Sequence, residues 1–380
     1  MSCRTRFLYA SPTVLSVPGK RDAGGGSCIF SRQGRGGVRA TLLVLFFFLG
    51  LAASVPAPAE AEVTVAAVGD IMMGSDFPVP RLPRRGGRDL FAAAAPFLRR
   101  ADLALWNLEG PLTGREIPSK RPLSGRRYLF RTPASYARNL KEAGFSLVSL
   151  ANNHARDFGA EGLADTKRAR AASGVAFAGK EGEIARFEVR GVRVAVIALS
   201  FGPPPRSIVF PALPLQEISR AAEENDIVIL SVHAGAEGRG ALHVSPGMER
   251  FLDEPRGDLV AFAREAVAHG ADLVLAHGPH VPRALELYRG RLIAYSLGNF
   301  ATYGGVSVAW ESGYAPLLNV ELADDGAFVG GSIVSFRQLP CTGPLPDPKR
   351  RALRLMRTLS AQDFPGSPLH FGEDGGIAVR

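Results

Sequence analysis

The sequence predicts an α/β fold, because short apolar runs typical of buried strands alternate with segments of helical pattern. Helices are predicted over residues 90–101, 135–143 and 259–269, and the last two are followed by a glycine, Gly144 and Gly270, as is common at helix ends. Residues 184–201 and 284–296 are each predicted to form a hairpin, with turns at Gly191 and Gly290. Five of the apolar runs are followed directly by polar side chains. Since ligands of α/β sheets bind at the carboxyl ends of strands, we expect these side chains to share one site.

The composition is that of a folded protein. Of the 380 residues, 46% are hydrophobic, which is enough for a sizeable core in one large or two ordinary domains. The net charge of +9 is concentrated at the start of the chain, where the first 61 residues hold seven basic and two acidic side chains. The remainder has 38 basic against 34 acidic side chains, a net charge of +4. This balance lacks the basic signature of nucleic-acid binding, and we expect no nucleic-acid partner.

Residues 1–61 are predicted to be a leader with a secretory signal. Thirteen apolar residues, Thr41–Ala53, follow a basic region and precede Ala-x-Ala patterns, so we expect cleavage within residues 58–62. The run is shorter than the ~20 residues that cross a bilayer, although an uncleaved membrane anchor stays open as the alternative. We therefore expect an exported protein, periplasmic or extracellular. Cleavage would leave Cys341 as the remaining cysteine, so no intramolecular disulfide is expected.

The polar side chains at the strand ends are of the types that bind divalent metals. Carboxylates, an amide and imidazoles form a mixed oxygen and nitrogen set, which suits Mn, Fe or Zn better than Ca. A carboxylate shared between two ions would permit a two-metal centre, so we expect one or two divalent ions. The residues are Asp70 after strand 63–68, Asn107 and Glu109 after strand 103–106, Asn153 and His154 after strand 145–150, His233 after strand 227–232, and His277 and His280 after strand 272–276.

Two local features permit two interpretations each. Asp157 lies three residues after His154 and either orients and charges that imidazole as a general acid, or forms an Asx turn and caps the following helix. The loop over residues 114–131 carries six Lys and Arg side chains. These side chains either bind an anionic substrate or form solvated surface.

Five motifs carry a resemblance to a known family. They are VGDIMMG (68–74), NLEGPL (107–112), LANNHARDFG (150–159), VHAGAE (232–237) and AHGPHVPRALELYRGRLIAYSLGNF (276–300). Together they resemble the CapA branch of the calcineurin-like metallophosphoesterases, the poly-γ-glutamate capsule-synthesis proteins. The resemblance implies a four-layer αββα sandwich of two mixed sheets over residues 62–338, followed by a linker, helix and tail over residues 339–380.

The resemblance also implies two metal positions that share a carboxylate, a general acid beside them and groups that contact substrate. The expected residues are Asp70, Glu109 (bridging) and His280 for the first metal, Asn153, His233 and His277 for the second, His154 with Asp157 for the acid, and Asn107, Glu237 and Asn299 for the substrate. Two departures bear on this expectation. Met72 stands where the wider superfamily usually has a histidine, which leaves the first metal with fewer ligands, and Glu109 replaces the more usual aspartate.

Two functions follow from the resemblance. In the first, the protein is an exported metal-dependent hydrolase that cleaves a phosphoester or an amide of a γ-linked polyglutamate-like polymer. In the second, it binds an anionic polymer without turnover and assists a membrane synthetase in assembly or export. Metal-stimulated turnover would support the first function, and polymer binding without turnover would support the second.

Overall fold

The computed structural model describes residues 63–119 and 128–380. The predicted leader, its expected cleavage site and residues 120–127, with four of the six basic side chains of the loop, lie outside these ranges. Among the described helices, none is both long and apolar enough to cross a bilayer. Residues Pro58–Arg380 group into one compact unit.

The strands and helices of the described ranges have the following bounds. The strands are β1 (Val63–Met72), β2 (Leu103–Leu108), β3 (Leu147–Ser149), β4 (Ala176–Ala178), β5 (Ile184–Val189), β6 (Val192–Ser200), β7 (Ile227–His233), β8 (Glu249–Phe251), β9 (Glu254–Gly257), β10 (Leu273–His277), β11 (Leu285–Tyr288), β12 (Arg291–Ala294), β13 (Asn299–Thr302), β14 (Tyr314–Leu322), β15 (Phe328–Arg337), β16 (Leu345–Pro346), β17 (Leu369–Phe371) and β18 (Gly376–Val379). The α-helices are α1 (Ala95–Leu98), α2 (Ala137–Ala143), α3 (Gly159–Ser173), α4 (Ala212–Glu224), α5 (Leu259–Ala268) and α6 (Arg351–Asp363), and short 3₁₀ helices lie at Arg84–Gly87, Ala134–Tyr136, Arg239–Ala241 and Trp310–Gly313.

The first sheet is mixed and has the strand order β17-β18-β15-β14-β1-β2-β3-β4. Strands β1 to β4 run parallel to one another, and β13 pairs in parallel with the end of β1. The remaining strands extend the sheet in antiparallel fashion from β14. Because β1, β2 and β3 are parallel neighbours, their carboxyl ends meet at one edge of the sheet.

The second sheet is also mixed and has the order β11-β12-β10-β7-β6-β5. Its central strands β12, β10, β7 and β6 are parallel, while β5 and β11 are antiparallel edge strands. Both edge strands belong to the predicted hairpins, whose turns at Arg190-Gly191 and Arg289-Gly290 have positive φ at both positions. This is the geometry of tight hairpin turns. Strands β8 and β9 form a separate two-stranded ribbon.

The alternation of side chains along the central strands creates the four layers. On β1, Val63, Val65 and Ala67 point into a core shared with Val194 and Val196 of β6, so the two sheets pack face to face. The intervening residues of each strand point outwards. Those of β1 pack against α1, α2 and α3, and those of β6 pack against α4 and α5. The predicted αββα sandwich of two mixed sheets is therefore confirmed.

Two predicted segments differ from the structure. The helix expected over residues 90–101 is reduced to α1, because Pro96 lacks an N–H and fits only the first turn of a helix. The expected C-terminal tail instead forms β17 and β18, which add to the first sheet, and Leu369 and Ile377 are buried in the core between the sheets. Strands of three or four residues are too short to show a reliable period-two pattern, so the sequence does not reveal them.

Candidate metal centre

The two sheets bring their strand ends together at one point. In the first sheet Asp70 is the register partner of Asn107, and in the second His233 is the register partner of His277. The segment that leads into β13 lies so close to β1 that a Cβ at Gly69 would be 1.9 Å from the carbonyl oxygen of Gly298. Only glycine allows this approach, and it lets the Asp70 N–H donate to that carbonyl at 2.8 Å.

Asp70, Glu109 and His280 form a compact group whose ligand atoms all lie within 4.8 Å of one another. His280 Nδ1 lies 3.2 Å from Asp70 Oδ2, and His280 Nε2 lies 3.6 Å from Glu109 Oε1. His280 adopts a positive φ of 57°, a conformation that is uncommon for a histidine and is often retained at functional sites. The group matches the expected ligands of the first metal.

The expected ligands of the second metal lie beside this group. His233 Nε2 is 4.0 Å from Glu109 Oε1, which is consistent with a carboxylate shared between two positions. His233 and His277 are both buried at the ends of neighbouring strands. Asn153 follows β3 in the turn that precedes α3 and is half-buried.

Buried ligand-type atoms without partners test whether these residues suit a metal ion. Both carboxylate oxygens of Glu109, Nε2 of His233 and Nδ1 of His277 are buried and make no hydrogen bond within the described ranges. Leaving such atoms unpaired costs free energy, and native structures contain few of them. A divalent cation would satisfy them together, so the residues fit a metal centre.

The protonation states follow from burial and from the neighbouring charges. Burial, which outweighs the attraction of His280, raises the pKa of Glu109 to about 7. Burial opposes the charged form of His280, but the carboxylates of Glu109 and Asp70 prevail and raise its pKa to about 10. Burial would also raise the pKa of Asp70, yet the hydrogen bond and charge of His280 hold that pKa well below its usual range.

The two buried histidines of the second sheet behave in the opposite way to His280. Burial holds the pKa of His233 well below its usual value and lowers the pKa of His277 to about 4. Both imidazoles are therefore neutral at pH 7. A neutral imidazole has a free lone pair, which is the form that binds a metal ion.

Asn107 and Asn299, which are expected to contact substrate, both lie against candidate metal ligands. Both side chains are completely buried. Asn107 Nδ2 donates to Asp70 Oδ1 at 2.8 Å and lies 3.2 Å from His233 Nδ1, so it links a ligand from each sheet. Asn299 Oδ1 lies 2.9 Å from His280 Nδ1. Asn107 Oδ1 also accepts from Asn152, and Asn299 Nδ2 donates to the backbone carbonyls of His280 and Ser312, so contact with substrate stays a proposal for both side chains.

Glu237, the third residue expected to contact substrate, is half-buried and lies in the loop after β7. Its Oε1 is 2.8 Å from Nη1 of Arg256. The negative charge of Glu237 adds to the upward shifts in the pKa of Glu109 and His280, which places it near the cluster. A role in contacting substrate remains a proposal for this residue.

His154 and Asp157 are paired as the general-acid interpretation predicts. His154 Nδ1 lies 2.8 Å from Asp157 Oδ2, and the same oxygen accepts a hydrogen bond from the N–H of Phe130 at 2.9 Å. The Phe130 ring centroid is 4.5 Å from that of His154. The helix cap of the alternative interpretation is not formed by Asp157, because α3 has Phe158 at its N-cap position and no side-chain capping bond.

Two contributors to the site were not predicted. Asn152 donates to Asn107 Oδ1 at 3.0 Å and accepts from the N–H of His154 at 3.0 Å, so it links the acid to the metal cluster. Asn152 and Asn153 are adjacent in the sequence, and the pattern of polar residues after β3 points to both equally. Arg283 is completely buried, pairs with Glu249 at 2.9 Å and donates to the carbonyl of Ala236 at 3.0 Å. It ties the loop after His233 to the loop after His280, and no local pattern indicates such a long-range contact.

The described part of the basic loop does not support the substrate-binding interpretation. Arg115 pairs with Glu161 at 2.7 Å and with Asp165 at 3.3 Å. Arg131 pairs with Asp76 at 2.6 Å. Both guanidinium groups are therefore already neutralised by carboxylates of this chain.

Solved structures of nucleotidases resemble this chain at low similarity. The NAD nucleotidase of Haemophilus influenzae is 13% identical, with a TM-score of 0.38 over 78% of this chain and 56% of that one. A 5′-nucleotidase precursor from Thermus thermophilus is 14% identical, with a TM-score of 0.39 over 80% of this chain and 59% of that one.

Sequence relatives are more similar. The capsule biosynthesis protein CapA of Bacillus anthracis is 29% identical over 290 residues, which cover 70% of this chain and 66% of the relative. The PGA biosynthesis protein CapA of Bacillus subtilis is 29% identical over 251 residues, 61% of each chain. The chain thus spans less than two thirds of these curated relatives. A family model described as bacterial capsule synthesis protein PGA_cap matches residues 64–303, more than half of the sequence, and the chain belongs to this family.

Proposed function

We propose that this protein is an exported metal-dependent hydrolase that acts in the synthesis or export of a poly-γ-glutamate-like anionic polymer. The observation that carries the proposal is the group of buried, unpartnered ligand atoms on Glu109, His233 and His277 next to the oriented imidazole of His154. The Bacillus relatives are named for capsule and PGA biosynthesis, which supports this class of polymer.

Six side chains would hold one or two divalent ions, of which Mn, Fe and Zn suit the donor set. A bound ion would act as a Lewis acid toward a phosphoryl or carbonyl oxygen of the substrate. The expected ligands are Asp70, Glu109 and His280 for one ion, and Asn153, His233 and His277 for the other, with Glu109 shared.

His154 would protonate the leaving group. Its Nδ1 faces the carboxylate of Asp157, so Nδ1 donates to that oxygen and the tautomer is fixed. In the imidazolium form Nε2 also carries a proton, which would pass to the leaving oxygen or nitrogen and leave the neutral Nδ1–H tautomer. Asn152, which accepts from the backbone N–H of His154, keeps the imidazole in register with the metal cluster.

The proposal is tested by metal analysis of the purified protein, followed by a substrate panel of phosphomonoesters, phosphodiesters and γ-linked glutamate oligomers. We expect stoichiometric divalent metal and a turnover that a chelator abolishes and added metal restores. A protein purified without metal, which gains none on dialysis against Mn, Fe or Zn, would contradict the proposal.

The names of two sequence relatives favour a second function. Two relatives from Mycobacterium tuberculosis, 28% identical over 270 residues, are called probable polyglutamine synthesis accessory proteins. In this alternative the site binds an anionic polymer without turnover and the protein assists a membrane synthetase. Metal-dependent binding of γ-linked glutamate oligomers with no cleavage of any panel member would select this function.

Export is proposed on the basis of the predicted leader over residues 1–61. N-terminal sequencing of the protein recovered outside the cytoplasm should find a start within residues 58–62. Recovery of the intact leader on a membrane-bound protein would favour the uncleaved anchor.

A further inference from the structure

A cavity of about 430 Å³ lies next to the candidate metal centre. It is bounded by the residues that follow β3, β4 and β6, including Asn152 and Asn153, so it shares a wall with the site. Another wall contains Ser200, the register partner of His233, and Phe201, whose ring centroid is 6.0 Å from that of His233. A cavity of this volume is of the size that holds small ligands or the end of a larger one.

The cavity is lined by cations, and only one of them lacks a partner in the described ranges. Arg156 pairs with Glu181, and Lys167 pairs with Glu181 at 2.9 Å and also with Glu183. The ammonium of Lys180 makes no hydrogen bond or ion pair within residues 63–119 and 128–380. Lys180 is half-buried, and burial, with a smaller contribution from the charge of Arg156, lowers its pKa. A half-buried ammonium without a counter-ion is suited to an anionic ligand.

Gly202 provides the space that this ammonium occupies. A Cβ at position 202 would lie 2.5 Å from Lys180 Nζ. Since Gly202 is not among the residues with positive φ, its backbone does not require glycine. Its contribution is steric, because any larger residue would displace the ammonium. The rest of the lining includes an apolar wall, with Phe201 beside the consecutive prolines Pro203, Pro204 and Pro205, and the exposed residue Glu254, which pairs with Arg256 at 3.1 Å.

We propose that this cavity is a subsite for one glutamyl unit of the substrate, with its carboxylate bound by Lys180 and its methylene groups against Phe201 and the prolines. The inference rests on the proposed function, because the glutamyl unit bound in this cavity would be the one next to the bond held at the metal centre. A single cation beside an apolar wall matches a repeating unit that carries one carboxylate on a short aliphatic stem. The shared wall at Asn153 places that unit next to the metal cluster.

The test compares three variants of the metal-loaded protein. Lys180→Gln removes the charge, and Gly202→Ala keeps the charge but displaces the ammonium. Lys141→Gln is the matched control, because Lys141 is exposed on α2 and does not line the cavity. Calorimetry would measure binding of a γ-linked glutamate trimer, the same trimer with α-carboxamides, and tripolyphosphate. Metal content is measured for each variant.

We expect Lys180→Gln to weaken binding of the glutamate trimer roughly 10- to 100-fold, as for loss of a charge-assisted hydrogen bond. Gly202→Ala should weaken it in the same direction, while Lys141→Gln and all metal contents stay unchanged. The carboxamide trimer should bind weakly and equally to all forms.

Trimer affinities within twofold for Lys180→Gln and Lys141→Gln would overturn the subsite, as would failure of the wild type to bind the trimer. Lys180-dependent binding of tripolyphosphate in place of the trimer would overturn the carboxylate assignment. A failure of the proposed function is distinguishable, because it would appear as a wild type without metal.

Discussion

The ends of β1 and β2 lie side by side and each presents a buried carboxylate to the same cluster, yet the two carboxylates are held differently. Asp70 accepts from Asn107 Nδ2 at 2.8 Å and from the N–H of Gly278 at 3.3 Å. Neither oxygen of Glu109 has a hydrogen-bond partner within the described ranges. The described fold thus satisfies Asp70, whereas a bound cation would be needed to satisfy Glu109. Burying a carboxylate without hydrogen-bond donors costs free energy, and a bound metal ion would offset that cost.

The sharpest test of this comparison exchanges each carboxylate for its amide. Asp70→Asn and Glu109→Gln should both lose metal binding by roughly 100-fold or more, and turnover with it. The stabilities of the two metal-free variants should differ. Only in Asp70→Asn does the new amide group face the hydrogen-bond donors of Asn107 and Gly278. We expect it to lower the free energy of unfolding by about 1–3 kcal/mol, with no loss for Glu109→Gln.

Metal content and urea unfolding in the presence of a chelator measure these two effects separately. Equal destabilisation of the two metal-free variants would show that the Glu109 carboxylate, like that of Asp70, is stabilised by hydrogen bonds within the protein.

Replacing the acid should separate chemistry from metal binding. His154→Asn is expected to keep its metal and to lose turnover by roughly 10²–10⁴-fold, the usual contribution of general acid–base catalysis. Asp157→Asn should lose less, because the imidazole remains but is no longer oriented. Steady-state kinetics with parallel metal analysis decide the outcome. Loss of metal from His154→Asn would make the histidine a ligand and the assigned role wrong.

The link between the sheets can be broken at Asn107. Asn107→Ala removes the amide that contacts both Asp70 and His233, so we expect a metal affinity roughly 10- to 100-fold weaker. Asn319→Ala is the matched control, since Asn319 lies in β14 of the same sheet and donates to Ser332 at 3.1 Å, away from the cluster. Metal titrations with a chelating indicator would compare them. Equal affinities would show that Asn107 does not position the ligands.

The last prediction concerns pH. His280 has a pKa raised to about 10 by the two carboxylates, so it is protonated at pH 7 in the metal-free protein. A metal ion that takes this imidazole must displace the proton, and affinity therefore rises with pH. We expect up to about tenfold per pH unit between pH 7 and 9, the dependence for one proton.

Calorimetry in two buffers of different ionisation enthalpy would count the released proton. His280→Gln should release one proton fewer than the wild type on binding metal at pH 8, because it lacks the imidazolium. A wild-type affinity that is constant from pH 7 to 9 would contradict the assignment of His280 as a ligand.

Most of the strands and the types of the site residues can be predicted from the sequence. Strands such as β1 and β7 contain enough consecutive apolar residues to be recognised, and Asp70 and His233 stand at their ends. The roles of Asn107 and Asn299 cannot be read in this way. Asn107 lies near the end of β2 and Asn299 at the start of β13, and only the folded structure shows that both are completely buried against candidate ligands.

The sequence by itself determined the α/β class, the family and the set of candidate metal ligands, because each depends on local periodicity or on residues at strand ends. The tertiary structure alone decided which of these side chains meet, which stay unpartnered and where Lys180 faces an open cavity. The Gly278 N–H and the carboxylate of Asp70 that accepts from it are 208 positions apart in the chain. Contacts of that kind depend on how two sheets pack, and no local pattern of residues encodes the distance between them.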